Sequence, residues 1–224
     1  MKIALVKRKT GYNVNAHTGE YFDKIRQIHD QTNAGIIVGP ELAVANATKL
    51  LSVEEFRQFS RDLQNFLIDA KSDSLVIPGT GLVYDLLNKE MFNRALAVDN
   101  SNLYEVDKKT SDREDSIALD HGLDYKRGSD TTIICYDKKD IGIEVCRDHG
   151  HARLKTKGVG NLDLQLILAC NLNGISLEKT VVKEGGIVAL VDGNGPKVSA
   201  YRNNGNSFEE INGQENGDYL LIEC

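Results

Sequence analysis

The sequence predicts an α+β domain in which helices alternate with strands before giving way to hairpins. Three observations carry that expectation. Short branched apolar runs recur along the first three quarters of the chain, each closed by a glycine, proline or charged residue. Two longer segments between them carry apolar residues at helical spacing. The last fifty or so residues change character, to short strands separated by glycine- and asparagine-rich turns. Strand–helix alternation followed by hairpins implies mixed sheets with helices covering one side.

The elements follow in order. Lys2–Val6 reads as a first strand. Glu20–Asn33 places Tyr21, Ile25 and Ile28 on one helical face. Gly35–Gly39 is a branched strand closed by Pro40. Ser52 and Glu55 form a capping-box signature. The helix it opens aligns Phe56, Phe59, Leu63, Phe66 and Leu67 and runs to about Lys71. Ser74–Pro78 is a strand leading into Gly79-Thr80-Gly81. Asn93–Val98 and Leu103–Val106 are neighbouring strands joined by the turn Asp99–Asn102. Thr131–Tyr136 and Ile141–Val145 flank a turn as a hairpin, and Leu162–Ala169 is a further apolar strand. Ile187–Val191, Lys197–Tyr201 and Tyr219–Glu223 complete the set.

Composition narrows the function. The chain has 224 residues, 41% of them apolar and 27% charged, with a formal net charge of −6. That is an ordinary globular balance, long enough for a sizeable core and read here as one domain over 1–224. An acidic chain whose Lys and Arg are scattered lacks the basic face of a nucleic-acid binder. No apolar run approaches the roughly 20 residues of a membrane span. The N-terminal run turns basic too soon for a secretory signal, so a cytoplasmic protein is expected. The four cysteines, at 135, 146, 170 and 224, have neither C-x-x-C nor zinc-finger spacing, so reduced thiols are expected and no metal.

One cysteine stands out. In Ile141-Gly142-Ile143-Glu144-Val145-Cys146-Arg147-Asp148-His149-Gly150 an apolar strand ends at a thiol and polar residues follow at once. Two further polar groups follow β-prone runs: Glu41 after Val38-Gly39-Pro40, and the pair Lys108-Lys109 after Val106-Asp107. A free thiol titrates near ~8.5 and needs a base to become a nucleophile. An ammonium beside it can stabilise the charge that develops on an attacked carbonyl or nitrile. Base, cation and thiol make an acyl-transfer set, each at a strand end, where ligand sites collect in open sheets. Taken singly, each residue has a blander reading: a small buried hydrophobe for Cys146, a helix-start carboxylate for Glu41, a solvated strand end for the lysines. A papain-like protease is disfavoured, because it would carry its thiol on a helix and pair it with a histidine.

These segments resemble the carbon–nitrogen hydrolase (nitrilase) superfamily. Val38-Gly39-Pro40-Glu41 is similar to its Pro-Glu motif, and Leu75–Gly79 with Phe92-Asn93-Arg94-Ala95 to its third strand and the segment after it. Val106–Thr110 resembles its Tyr-Arg-Lys-Thr motif, Ile141–Asp148 its Gly-x-x-Ile-Cys-Tyr-Asp motif, and Asn161–Leu168 its Gly-Ala-Asp-Leu-Ile-Leu strand. The resemblance spans about residues 1–175. It implies a four-layer α-β-β-α sandwich of two mixed sheets that needs no cofactor or metal. It also implies Glu41 as general base, Cys146 as nucleophile and one lysine as stabiliser of the tetrahedral intermediate. Matching Asp107-Lys108-Lys109-Thr110 to the lysine motif favours Lys109, with Lys108 the alternate. The backbone N–H of Arg147 would complete an oxyanion hole.

The chain departs from that pattern in places. Where the family often carries a second glutamate, shortly before the glycine here numbered Gly128, this chain has His121, with Asp120 and Asp124 nearby. His149-Gly150-His151 replaces an aromatic-Pro-Glu, and His149 and His121 are taken as residues lining the substrate pocket. Ser176–Gly186 is shorter than the family's helical stretch. The chain stops at Cys224, before the tail many members use for subunit contacts; a homodimer is the assembly the resemblance leaves open. The expected substrate is a small amide or nitrile, the amide preferred. A diverged, non-catalytic binding module on the same fold is the competing reading, and it predicts an unreactive Cys146.

Overall fold

The structure is a computed structural model. It describes every residue except 15–16, 112, 129–132, 173 and 196. The chain runs β1 (Lys2–Val6), α1 (Thr18–Thr32), β2 (Ile36–Val38), β3 (Leu51–Ser52), α2 (Val53–Asp69), β4 (Leu75–Asp85), β5 (Glu90–Val98) and β6 (Leu103–Asp107). It continues through α3 (Glu114–Asp120), β7 (Asp124–Tyr125), β8 (Ile133–Tyr136), β9 (Lys139–Val145), α4 (Arg147–Gly150), α5 (Arg153–Thr156) and β10 (Leu162–Ala169). After a 3₁₀ turn at Leu177–Lys179 come β11 (Val182–Asp192), β12 (Lys197–Asn203), β13 (Phe208–Glu210), β14 (Gln214–Glu215) and β15 (Tyr219–Glu223).

Two mixed sheets face each other. The first runs β14-β15-β1-β2-β4-β5-β6, with β3 on β4 and β7 on β5; the second runs β13-β12-β11-β10-β9-β8. β1, β2 and β4 are mutually parallel at the centre of the first sheet, and β9, β10 and β11 at the centre of the second.

The period-two pattern of the strands explains the layering. Ile3, Leu5, Ile36, Val38, Leu75 and Ile77 point into the space between the sheets, against Ile141, Ile143, Val145 and Leu166. Their neighbours Ala4, Val6, Ile37 and Val76 point the other way, onto Tyr21, Ile25 and Ile28 of α1 and Phe56, Leu63 and Leu67 of α2. Each such fully buried branched side chain contributes about 1.5–3 kcal/mol. α2 begins where the sequence places it: the Ser52 hydroxyl accepts from the Glu55 N–H at 3.1 Å, and the Glu55 carboxylate accepts from the Ser52 N–H at 2.7 Å. α1 ends at Asn33, whose φ of 48° is the left-handed cap that asparagine tolerates.

The expected helices and central strands are present with shifts of a few residues at their ends. The differences are instructive. β4 continues past Gly79 to Asp85 and pairs with β5 as a long hairpin, because no residue between 79 and 85 breaks an extended chain. α3 was not foreseen. Thr131 and Thr132 of the expected β8 lie outside the described residues. The fourth layer is thin. Among the described residues the outer face of the second sheet carries the one-turn helices α4 and α5 and the 3₁₀ turn, with Leu154 packed on Leu162 and Val182.

Candidate active site

Glu41 is placed by a close backbone crossing. A Cβ on Gly39 would lie 2.4 Å from the Pro78 carbonyl oxygen, and one on Gly79 would lie 1.9 Å from that of Pro40. Gly79 also has φ +101°, which an L side chain resists. The two strand ends therefore pass in contact, and Glu41 is turned toward the second sheet, where its N–H donates to the Ala169 carbonyl at 3.3 Å. Thr10 holds the Glu41 carbonyl with its hydroxyl at 2.7 Å. Leu42, next in the chain, is buried with φ 59° and is fixed by its N–H on the Thr80 hydroxyl.

Cys146 ends β9. Its N–H donates to the Leu168 carbonyl at 2.8 Å, the last rung shared with β10. Its φ of 49° and ψ of −106° turn the chain sharply into α4, a strained conformation that persists only where its surroundings over-determine it. The thiol, nearly buried, donates to the Cys170 carbonyl at 3.9 Å and lies close enough to the Glu41 carboxylate to feel its charge.

The lysine that meets Glu41 is Lys108. Its Nζ lies 2.8 Å from Glu41 Oε1 and 2.6 Å from Glu114 Oε1, with no exposed surface on its side chain. Strand register explains why. β5 and β6 pair Arg94 with Asp107, so Asn93 sits opposite Lys108, and the Lys108 N–H donates to the Asn93 carbonyl at 2.8 Å. Side chains opposite one another share a face. Asn93 Nδ2 accordingly reaches the same two oxygens as Lys108, Glu41 Oε1 and Glu114 Oε1, at 2.8 Å each. Lys109, favoured from the motif, is placed through its backbone. Its backbone N–H, with that of Thr110, is held by the Asp148 carboxylate at 3.0 and 2.9 Å.

Electrostatics follow from two carboxylates and one ammonium in a dry site. Burial alone would pull Lys108 down, but Glu41 and Glu114 outweigh it and hold the ammonium charged well above its ordinary range. Burial pushes Glu41 up, against the pull of Lys108, and Glu114 adds to the rise. Burial, and then the Glu41 charge, push Cys146 up as well. The resting site therefore holds a neutral thiol beside a carboxylate with a raised proton affinity.

The remaining sequence candidates separate. Arg147 opens α4 directly after the thiol, with an exposed side chain. His121 is exposed and lines a cavity of about 340 Å³ with Leu50, Tyr84 and Leu123, a lining that includes none of Glu41, Lys108 and Cys146. The acidic residue at the site is instead Glu114, at the start of α3; with α3 unforeseen, its direction could not be read. His149 is buried and points to the outer face of the second sheet, where its Nδ1 meets Glu144 Oε2 at 2.8 Å. Both ring nitrogens are engaged there, Nε2 by the Ser176 N–H at 3.2 Å. Asn93, Glu114 and Asp148 are the residues the sequence reading missed. Among the described residues no group of three or more His, Cys, Asp or Glu is placed to hold a metal, and no helix is long and apolar enough to cross a membrane.

No protein-family model and no curated protein matches this sequence. Solved structures do. A CN-hydrolase superfamily protein from Xanthomonas campestris, described with an arsenic adduct in its active site, superposes with a TM-score of 0.67 at 16% identity, over 100% of this chain and 90% of its own. The NitN amidase of a Nesterenkonia species gives 0.71 at 14%, over 100% and 92%. A mutant of the amidase from Nesterenkonia sp. AN1 in complex with butyramide gives 0.68 at 13%, over 99% and 89%. At these identities the likeness is one of fold, and it covers essentially the whole chain: two facing mixed sheets in the nitrilase-like arrangement.

Proposed function

We propose that this chain is a cysteine-dependent hydrolase of a non-peptide carbon–nitrogen bond, with a small amide as substrate. The observation that supports it most is the convergence of Cys146, Glu41 and Lys108 from three separate strand ends into one buried cluster, in which Lys108 is bonded to Glu41 and the Cys146 thiol feels the charge of both. A fold with no chemistry to perform gains nothing from burying two carboxylates around one lysine, since such a cluster costs more in desolvation than apolar packing would.

In this reading Glu41 takes the thiol proton as Cys146 Sγ attacks the amide carbon. The oxygen that gains charge is stabilised by the Lys108 ammonium and the Arg147 backbone N–H. Glu41 returns the proton to the leaving nitrogen, the C–N bond breaks, and ammonia or an amine departs from a thioester. Water then attacks the thioester carbon, its proton going to Glu41. The C–S bond breaks, the acid is released, and the thiol is reprotonated. Glu114 keeps Lys108 charged and in place. The fold neighbours described as amidases, one bound to butyramide, favour an amide over a nitrile.

The test combines turnover with labelling. Ammonia release from aliphatic amides and nitriles of two to five carbons is measured for the wild type, Cys146→Ala and Glu41→Gln. Alkylation of Cys146 by iodoacetamide is followed against pH by intact mass. We expect ammonia from the amides in the wild type alone. We also expect a labelling rate that rises with pH as Glu41 loses its proton, above the ordinary carboxylate range because burial raises it, and this rise disappears in Glu41→Gln. Labelling indifferent to Glu41, with no ammonia from any substrate, would sink the hydrolase reading in favour of a binding module.

A further inference from the structure

A second buried polar cluster lies behind the nucleophile, on the opposite face of β9. Glu144, two residues before Cys146, points to the outer face of the second sheet, where a thick helical layer would ordinarily exclude a charge. Its carboxylate is nevertheless buried and fully engaged. Oε1 accepts the Leu154 N–H at 3.0 Å; Oε2 meets His149 Nδ1 and the Gln165 amide, both at 2.8 Å. Gln165 in turn accepts the Val181 N–H at 2.9 Å. His149 Nε2 faces the Ser176 N–H at 3.2 Å. A backbone N–H can only donate, so Nε2 is the acceptor and the ring proton sits on Nδ1, toward Glu144.

We propose that Glu144 and His149 are positioning residues that set the Arg147 N–H toward the oxygen of the substrate under attack. The inference rests on the hydrolase reading above. α4 is a single turn of four residues, far too short to hold its own shape, and it must follow a residue in a strained conformation. It is therefore held from outside, on two sides. Asp148 ties it to the lysine segment of the first sheet through the Lys109 and Thr110 N–H groups. His149 ties it to Glu144 of β9, which also accepts the Leu154 N–H of α5, and to Ser176 in the segment before β11. Lys179 adds a bond from its ammonium to the Gly150 carbonyl at 2.7 Å. An apolar cluster would pack this face at lower cost. What a carboxylate with three directed donors adds is fixed geometry, and an oxyanion donor needs fixed geometry to act.

The experiment separates positioning from general loosening. Acylation of Cys146 by 4-nitrophenyl acetate puts charge on a carbonyl oxygen; alkylation by iodoacetamide does not. His149→Leu and His149→Gln are compared with the wild type in both reactions, together with amide hydrogen exchange over residues 147–156. We expect His149→Leu to slow acylation about 10- to 100-fold, less than complete loss of an oxyanion donor, while alkylation changes by less than about 3-fold. Exchange over 147–156 rises in the same variant. Glutamine, which can donate to Glu144 and accept from Ser176, restores most of both. If His149→Leu does not fold, the Glu144→Leu/His149→Leu pair, which leaves no unpaired buried carboxylate, carries the same comparison. Acylation and alkylation falling together, or acylation unchanged, overturns the proposal. If wild-type Cys146 takes no acyl group at all, the hydrolase reading fails instead; unchanged exchange in His149→Leu then overturns the brace independently.

Discussion

Replacing Lys108 by methionine tests the centre of the site most directly. The ammonium lies 2.8 and 2.6 Å from two carboxylate oxygens, with none of its side chain exposed. At the effective dielectric that suits buried pairs, each contact is worth about 6 kcal/mol of gross attraction. Most of that offsets the desolvation of three charges, and removing one partner from a buried cluster costs about 3–5 kcal/mol net. For a chain of this length that is a fall in melting temperature of roughly 6–20 °C. The sign of its pH dependence is fixed. Without the ammonium, Glu41 keeps the burial and the Glu114 charge that raise it and loses the cation that lowers it, so its folded-state pKa lies further above the ordinary carboxylate value near ~4.3. A carboxyl raised on folding contributes stability below its unfolded pKa and loses it as pH rises through the folded one. The penalty of Lys108→Met relative to the wild type should therefore be smallest near pH 4 and grow toward neutrality. Melting curves from pH 4 to pH 8, with Lys109→Met alongside, read this out. Lys109→Met keeps the backbone N–H that Asp148 holds and should cost less at every pH. A Lys108→Met penalty that is flat with pH, or smaller than that of Lys109→Met, would refute the assignment of Lys108 to the cluster.

Two further predictions concern the scaffold. Ser52→Ala removes the oxygen that accepts the Glu55 N–H and should lower stability by about 1 kcal/mol, seen as a shift in the midpoint of urea unfolding with an unchanged slope. Gly79→Ala forces a Cβ to within 1.9 Å of the Pro40 carbonyl oxygen at a φ of +101°. Because the strand end carrying Glu41 must move, it should slow Cys146 labelling at neutral pH well beyond its effect on melting temperature; wild-type labelling would contradict that reasoning.

Much of the fold was legible because its signals are local. Alternation in β1, β2 and β4 set which residues face each sheet, and the Ser52–Glu55 pair marked the start of α2. That Lys108 shares a face with Asn93 was also within reach. A hairpin turning at Asp99–Asn102 aligns Val98 with Leu103, and counting back along both strands places Asn93 opposite Lys108. Matching the motif letter by letter pointed to Lys109 instead, because a motif records order and not the face on which a side chain lands. Glu114 and His149 were beyond any local count. Glu114 depends on where α3 docks, and His149 on α4 turning its ring away from the thiol toward Glu144 and Gln165 on the outer face.

By itself the sequence determined the two long helices α1 and α2 and the central strands, the two faces of those strands, and the three places where polar groups end apolar runs. Those follow from periodicity and from the conformations of glycine and proline, which each residue carries with it. Tertiary structure alone decided which groups meet. Glu41, Asn93 and the Lys108–Glu114 segment are drawn together so that Lys108 and Asn93 share two carboxylate oxygens, one from each glutamate. Their protonation, and therefore any chemistry, depends on a shared exclusion of water that no segment possesses alone.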